Sequence, residues 1–341
     1  MVNLMRASRE LFQRAPDERF DSLQALWRHC QEEKAASRDY WLPPQSLLPT
    51  AGDNDVSVLL GDDGAQLLND WSFTQLCRLS GVSKETVNRL SPDTASRALR
   101  ETIPAGEKPL QLLRTENTVR SLHGVAYTRL WNADLLSVVS EFATDFEAAP
   151  AGFNGATGLY CGEQDLFAFL IDPAGWIDIE GEQFAPGFFV WNSEVGRRSL
   201  GIQAFWFQAV CQNHIVWDAT EVIEFTRKHT ANVQDGLREI RRIIEQLVER
   251  RDQRKDDFAR VIAKAMRDTI GSDAEAVAKE LAKNGIPRSL AKDAIEIAGQ
   301  RGRFTIFSLV DALTRLTPKI KYIGDRTEAE AKVASLLALA V

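Results

Sequence analysis

The runs Leu166-Phe167-Ala168-Phe169-Leu170-Ile171, Phe188-Phe189-Val190-Trp191 and Ile202-Gln203-Ala204-Phe205-Trp206-Phe207-Gln208-Ala209-Val210 decide the fold. They lie within Gly152 to Trp217, where aromatic and β-branched residues alternate with Gly and Pro punctuation. Such runs suit a buried pleated surface, so this stretch is expected to form an antiparallel sheet at the centre of the fold. Side chains alternate between the two faces of a strand, so consecutive Phe205, Trp206 and Phe207 cannot all point one way. At least one face of that strand is therefore core.

Helical periodicity surrounds this centre. Phe20, Leu23, Leu26, Trp27 and Cys30 recur at helical spacing, which predicts one amphipathic helix over 17–38, stopped by Pro43-Pro44. Val56 to Leu60 and Ala65 to Leu68 flank Gly61-Asp62-Asp63-Gly64 and read as a hairpin, whereas 71–103 reads as helical. Two strands are expected in 110–122, joined at Glu116-Asn117, followed by a helix capped by Asn132. One helical stripe, Val233 to Ile262, spans about 231–270, and at ~1.5 Å per residue it would run ~60 Å, so it must bend or meet a partner. Helices stopped by Asn284-Gly285, Gly299 and Pro318 fill the tail.

The expected class is α+β: a central, mostly antiparallel sheet with a long packed helix, an N-terminal helical region and an all-helical C-terminal tail. The division is 1–109 (helices, the hairpin and a helix-turn-helix-like segment), 110–270 (the α+β core) and 271–341 (the helical tail).

Composition excludes several classes. With 44% hydrophobic and 26% charged residues the chain is ordinarily globular, and its 341 residues suffice for two domains. No apolar run reaches the ~20 residues of a membrane span and Met1 to Arg14 carries no signal-like apolar stretch, so the chain reads as cytoplasmic and without a membrane partner. A formal charge of −7 argues against a protein coated in basic charge, though not against a local basic groove. The four cysteines and four histidines lack metal-ligand spacing, so neither a metal site nor a cofactor is expected, and the adjacent His29-Cys30 reads as packing. No phosphate-binding loop, dinucleotide fingerprint or nucleophile elbow is present, and no catalytic residue can be nominated.

Polar residues nevertheless stand at the ends of the most apolar strands. They are Asn192-Ser193-Glu194-Val195-Gly196, Cys211-Gln212-Asn213-His214 and Arg227-Lys228-His229-Thr230. Asn and Ser can bond nearby backbone and Gly allows a positive φ, so a structured turn explains the first run. The functional alternative is a polar rim of Asn192, Ser193, Glu194, Gly196, Arg197, Asn213, Arg227 and His229 at one end of the sheet. Proton transfer there would require Glu194 and His229 to meet.

A second motif lies upstream. Leu76 to Leu90 resembles the helix-turn-helix of Lac-repressor-type proteins: Gly81 suits the turn, Ser83 would cap the second helix, and Leu76, Val82, Val87 and Leu90 would pack between helices. In a DNA reader Lys84, Thr86, Asn88 and Arg89 would face the groove; the plainer reading is a helical corner. Arg120, Arg129 and Arg198 are further nucleic-acid contact candidates.

Several stretches together resemble the phage- and plasmid-associated family 932 of domains of unknown function. They are Pro16 to Phe20, Leu76 to Leu90, Val119-Arg120-Ser121 through Tyr127-Thr128-Arg129-Leu130, the three polar runs above, and Phe304-Thr305-Ile306-Phe307 onward. His214, and Gly124-Val125-Ala126 before Tyr127, depart from the family pattern. The resemblance implies a mobile-element setting and a link to DNA metabolism, and supplies no catalytic residues. The favoured expectation is an accessory protein that binds or anneals single-stranded DNA, with duplex DNA a further possible partner. The alternatives are an oligomeric assembly protein and an enzyme of unmarked class using the polar rim.

Overall fold

The computed structural model of the protein describes residues 11–149, 158–209, 213–215, 224–300 and 302–341. The three aromatic runs form the middle of a nine-stranded sheet, in which Leu166–Ile171 pairs antiparallel with Glu182–Asn192, and that strand with Leu200–Gln208. Alternation sorts their side chains cleanly. Leu166, Ala168, Leu170, Phe188, Val190, Leu200, Ile202 and Ala204 pack against the helices Leu23–Ala35, Asn132–Phe142 and Asp235–Glu249. Phe167, Phe169, Phe189, Phe205 and Phe207 form the opposite face, which meets Ile323 and Ala331 of the helix Ile323–Ala334. Trp206 points away from its two neighbours and stacks on Phe258 at 3.9 Å and 7°.

The sheet centre is tight enough to require glycine. A Cβ on Gly187 would lie 2.3 Å from the Leu170 carbonyl oxygen and 2.8 Å from the Phe205 ring. Backbone paired on both sides cannot withdraw, so Gly187→Ala is expected to destabilise by about 1–3 kcal/mol or more, measured by urea unfolding.

A second, six-stranded sheet runs in the order Ser37–Leu42, Leu110–Thr115, Thr118–His123, Ala65–Leu68, Val56–Leu59, Leu48–Ala51. The expected hairpin and the strand pair around Glu116-Asn117 are both in it, but so is Ser37–Leu42. The first helix is thus shorter than expected: Ser22 caps it and it ends at Ala35. Leu110–Thr115 and Thr118–His123, read as the start of the 110–270 core, hydrogen-bond into this sheet with N-terminal strands. The helices Asp70–Leu79 and Pro92–Thr102 cover it, burying Phe73, Leu76, Ala95 and Leu99.

The single helix expected over 231–270 is two. Asp235–Glu249 and Arg251–Ala265 meet at Arg250, whose φ of −98° and ψ of 16° leave the helical region. Each half serves a different core: Ile240, Ile243, Ile244 and Leu247 lie on the large sheet. Phe258, Val261, Ile262 and Ala265 lie instead among the C-terminal helices. That division removes the excess length of a 60 Å rod. The outer faces carry the expected short-range ion pairs, Arg241 to Glu245 and Arg260 to Asp257 among them. The tail is helical: Ala274–Lys283, Arg288–Gly299, Ile306–Thr314 and Ile323–Ala334. The architecture is α+β. Among the described residues no helix is long and apolar enough to cross a membrane.

Candidate functional site

Asn192 to Gly196 joins the two longest strands of the large sheet and is driven into the seam between the sheets. The turn closes by a 3.0 Å bond from Gly196 N–H to the Ser193 carbonyl. Gly196 has φ +69°, and a Cβ there would stand 2.6 Å from the His123 ring and 2.9 Å from Tyr127. Both its conformation and its neighbours therefore demand glycine.

Most side-chain polar groups of the run are used, Asn192 Oδ1 being buried without a hydrogen bond. Asn192 Nδ2 donates to the Leu130 carbonyl at 2.9 Å and to Asn132 Oδ1 at 2.8 Å. Ser193 Oγ donates to the Gln164 carbonyl and accepts from Arg197 N–H. Glu194, 1% exposed, is the keystone. One carboxylate oxygen accepts from Asn132 N–H at 2.7 Å and the other lies 3.2 Å from Arg120 Nη1. Asn132 is the first residue of its helix and Trp131 occupies the cap position, so the sequence expectation of an Asn132 cap is corrected. Glu194 satisfies that helix N-terminus from another segment, where the helix dipole favours negative charge.

The opposite wall comes from the small sheet and its connections. Arg120 is held between Glu194 and Glu33, at 3.2 Å from each. Arg129 bonds Asp39 at 2.6 Å and also donates to the Glu194 carbonyl. The Tyr127 hydroxyl donates to that carbonyl at 2.7 Å, while Trp71 Nε1 and His123 Nε2 both donate to the Val195 carbonyl, at 2.7 and 2.9 Å. A carbonyl only accepts, so His123 carries its proton on Nε2. Tyr127 is sandwiched between His123, 3.7 Å away, and His229, 5.5 Å away. Burial pushes both histidines down to about 4, with the Arg129 charge adding to the effect.

Glu194 and His229 do share one end of the large sheet, bridged by Tyr127. Both lie in a packed seam without touching each other: His229 is 7% exposed and stacks on Tyr127, and the Glu194 carboxylate is committed to Arg120 and a helix terminus. The arrangement can lock two sheets together, and Glu194 has no spare geometry for a proton-transfer role. Arg197 extends to the exposed surface, where its guanidinium lies 5.8 Å from the Trp71 ring. Arg227 pairs with Leu200 and faces Phe225, away from the seam. Asn213 lies in the strand Asn213–Ile215; its side chain, Cys211-Gln212, Val210, Trp217 and most of the glycine-rich stretch 152–162 are outside the described residues.

The nucleic-acid candidates divide. Arg120 and Arg129, 5% and 7% exposed, are corrected from surface contacts to buried braces of the seam. In the helix-turn-helix lookalike Gly81 makes the turn at φ +66° and Ser83 caps the second helix, but that helix is only Lys84–Val87. Lys84 pairs with Asp70 at 2.7 Å, and the buried Asn88 side chain bonds both N–H and C=O of Phe12. The plain corner explains those two; Thr86 and Arg89 remain exposed.

Of the surviving candidates, Arg89 lines one hollow and Arg197 and Arg198 line another, while Thr86 lines neither. The first, about 420 Å³, is lined by Arg14, Lys84, Arg89, Lys321 and Tyr322 among others. The second, about 490 Å³, is lined by Trp191, Arg197, Arg198, Gln203 and Glu328 among others. The N-terminal turn of the helix Ile323–Ala334 touches both, and Asp165 links their walls by pairing with Arg14 at 3.1 Å and Arg198 at 2.5 Å. Trp191 is held flat across Gly201, where a Cβ would stand 2.1 Å from the indole. The sequence did not single out Arg14, Tyr322 or Lys321, which reach this surface only through the fold.

No curated protein and no solved structure matches the chain. Residues 122–289, which hold Tyr127, Arg129, the Asn192-to-Gly196 turn and His229 but neither Glu33 nor Arg120, match the family described as Domain of unknown function (DUF932).

Proposed function

We propose that the chain binds single-stranded nucleic acid across the two linked hollows beside the helix Ile323–Ala334, as a cytoplasmic accessory protein of a plasmid or phage. The observation that carries the reading is the pairing of exposed cations with aromatic rings along one surface. Arg89, Arg197 and Lys321 are exposed and form no ion pair among the described residues, whereas Arg198 is already neutralised by Asp165 and Glu328. Trp191, Trp71 and Tyr322 stand beside them. Such a surface follows a phosphate backbone while stacking bases, and each stacked base is worth about 1–3 kcal/mol. A negatively charged protein restricts that attraction to the groove.

Fluorescence anisotropy with a labelled oligothymidine at low salt tests the reading. Micromolar or tighter binding is expected, and Arg89→Ala/Arg197→Ala/Lys321→Ala should weaken it more than tenfold. Losing three phosphate contacts should flatten the logarithmic salt dependence by about 2. Trp191→Ala should weaken binding without changing that slope. No binding in the micromolar range at low salt, or a triple variant that binds like the parent, would sink the proposal.

A further inference from the structure

A second constellation lies on the far side of Arg120 and plays no part in the proposed binding surface. His29 and Glu33 stand one helical turn apart on Leu23–Ala35, so they project from one face of that helix. Cys161 ends the strand Leu159–Cys161, on which this helix packs. One ligand atom from each of His29, Glu33 and Cys161 lies within 4.8 Å of the other two. Cys30, next to His29 on the same helix, and Cys161 are both free, buried thiols of one core cluster. A fourth potential ligand therefore lies in the same core, although not within 4.8 Å of all the other three.

We propose that His29, Glu33 and Cys161 bind one zinc ion, with Cys30 completing a tetrahedral set. Tetrahedral zinc with bonds of about 2.0–2.3 Å needs ligand separations of about 3.3–3.8 Å, so closure of His29, Glu33 and Cys161 takes side-chain movement of roughly 1 Å, and Cys30 must move further to join them. A thiolate, imidazole and carboxylate together suit zinc rather than calcium or magnesium, which prefer all-oxygen shells. Glu33 Oε2 is buried and makes no hydrogen bond, its contact with Arg120 being an ion pair without hydrogen-bond geometry. Two thiolates and a carboxylate around a divalent ion leave one negative charge, and the Arg120 guanidinium, 3.2 Å from Glu33, lies where it would balance it. His29 is only partly buried and gives the ion a route from solvent. The metal would clip the first helix to an edge region of the large sheet, next to the two-residue strand Glu18–Arg19, which pairs with Cys161.

Spectroscopy with cobalt(II) on the full chain, stripped of metal under reducing conditions, tests the site. Uptake of one equivalent is expected, with intense visible bands of tetrahedral cobalt and a near-ultraviolet thiolate charge-transfer band, both bleached by one equivalent of zinc. Cys161→Ser and Cys30→Ser should each reduce the charge-transfer band by about half. His29→Gln, a change at a partly exposed position, should weaken binding more than tenfold while the circular dichroism stays that of the parent. Absence of uptake, weak octahedral bands without thiolate absorption, or a band unchanged in Cys161→Ser overturns the proposal. An unchanged band in Cys30→Ser overturns the part given to Cys30.

Discussion

Arg120→Met is expected to lower the unfolding free energy by about 3–5 kcal/mol, the usual cost of removing one partner from a buried ion pair. Arg120 is wedged between Glu33 and Glu194, 3.2 Å from each, and without it two carboxylates face each other in the seam. Glu194→Gln should cost less, about 1–3 kcal/mol, because the amide oxygen can still accept from Asn132 N–H. Arg120→Met/Glu194→Met should be more stable than Arg120→Met alone, since no isolated charge remains beside the helix terminus. Urea unfolding in the presence of a chelator gives all three values. An Arg120→Met variant within 1 kcal/mol of the parent would show that the seam does not depend on this pair.

The elements that were legible are those whose signal is local. Alternation in Leu166–Ile171 and Leu200–Gln208 needs only neighbouring residues, and it correctly forbade an all-aromatic face around Trp206. The helix expected over 17–38 runs into Ser37–Leu42, whose strand character is not legible because it depends on Leu110–Thr115, a distant partner, while its own sequence, Ser-Arg-Asp-Tyr-Trp-Leu, carries charge and little alternation. A bend in the 231–270 stripe is expected from its length, but its position at Arg250 is not, for a related reason. No Gly or Pro marks it, and the one local sign is that the apolar stripe lapses from Glu249 to Asp257; the chain bends because its two halves have different cores to cover.

The candidate sites follow the same logic. Asn192 to Gly196 stood out as polar residues in an apolar region, and Gly196 announced a turn. What the turn grips was not readable, because Trp71, Arg120, His123 and Tyr127 reach it from the other sheet. His29-Cys30 looked like packing because spacing rules see only ligands on one segment, and Cys161 arrives by strand placement. Arg120 links the two constellations, pairing with Glu194 on one side and Glu33 on the other. The seam and the helix-to-sheet cluster are therefore expected to respond together when Arg120 is removed.

Acidification is expected to weaken the fold through His123 and His229. Burial holds both at about 4 in the folded protein, against an unfolded value near 6.5. A depressed histidine stays neutral while the unfolded chain takes up a proton, so stability falls as pH drops from about 6.5 towards 4. At pH 5 the loss is roughly 2 kcal/mol for each ring. Glu163 works in the opposite direction. Burial, reinforced by Asp70, raises it to about 7, so the stability it contributes is present below about 4.5 and is lost as pH rises through 7. The raw pH profile mixes these signs, and a variant separates them. The groups facing His229 are Tyr127, Arg129 and the Thr128 backbone, and Phe at 229 keeps a ring against Tyr127 with no proton to gain. The difference in unfolding free energy between pH 7 and pH 5 should then shift by about 2 kcal/mol in favour of His229→Phe at the lower pH. His123→Phe should shift it by a similar amount, although at a lower starting stability, because the bond to the Val195 carbonyl is lost. Parallel pH profiles for parent and His229→Phe would mean that His229 takes up its proton over the same pH range folded and unfolded, so that the seam tolerates a cation beside Arg129.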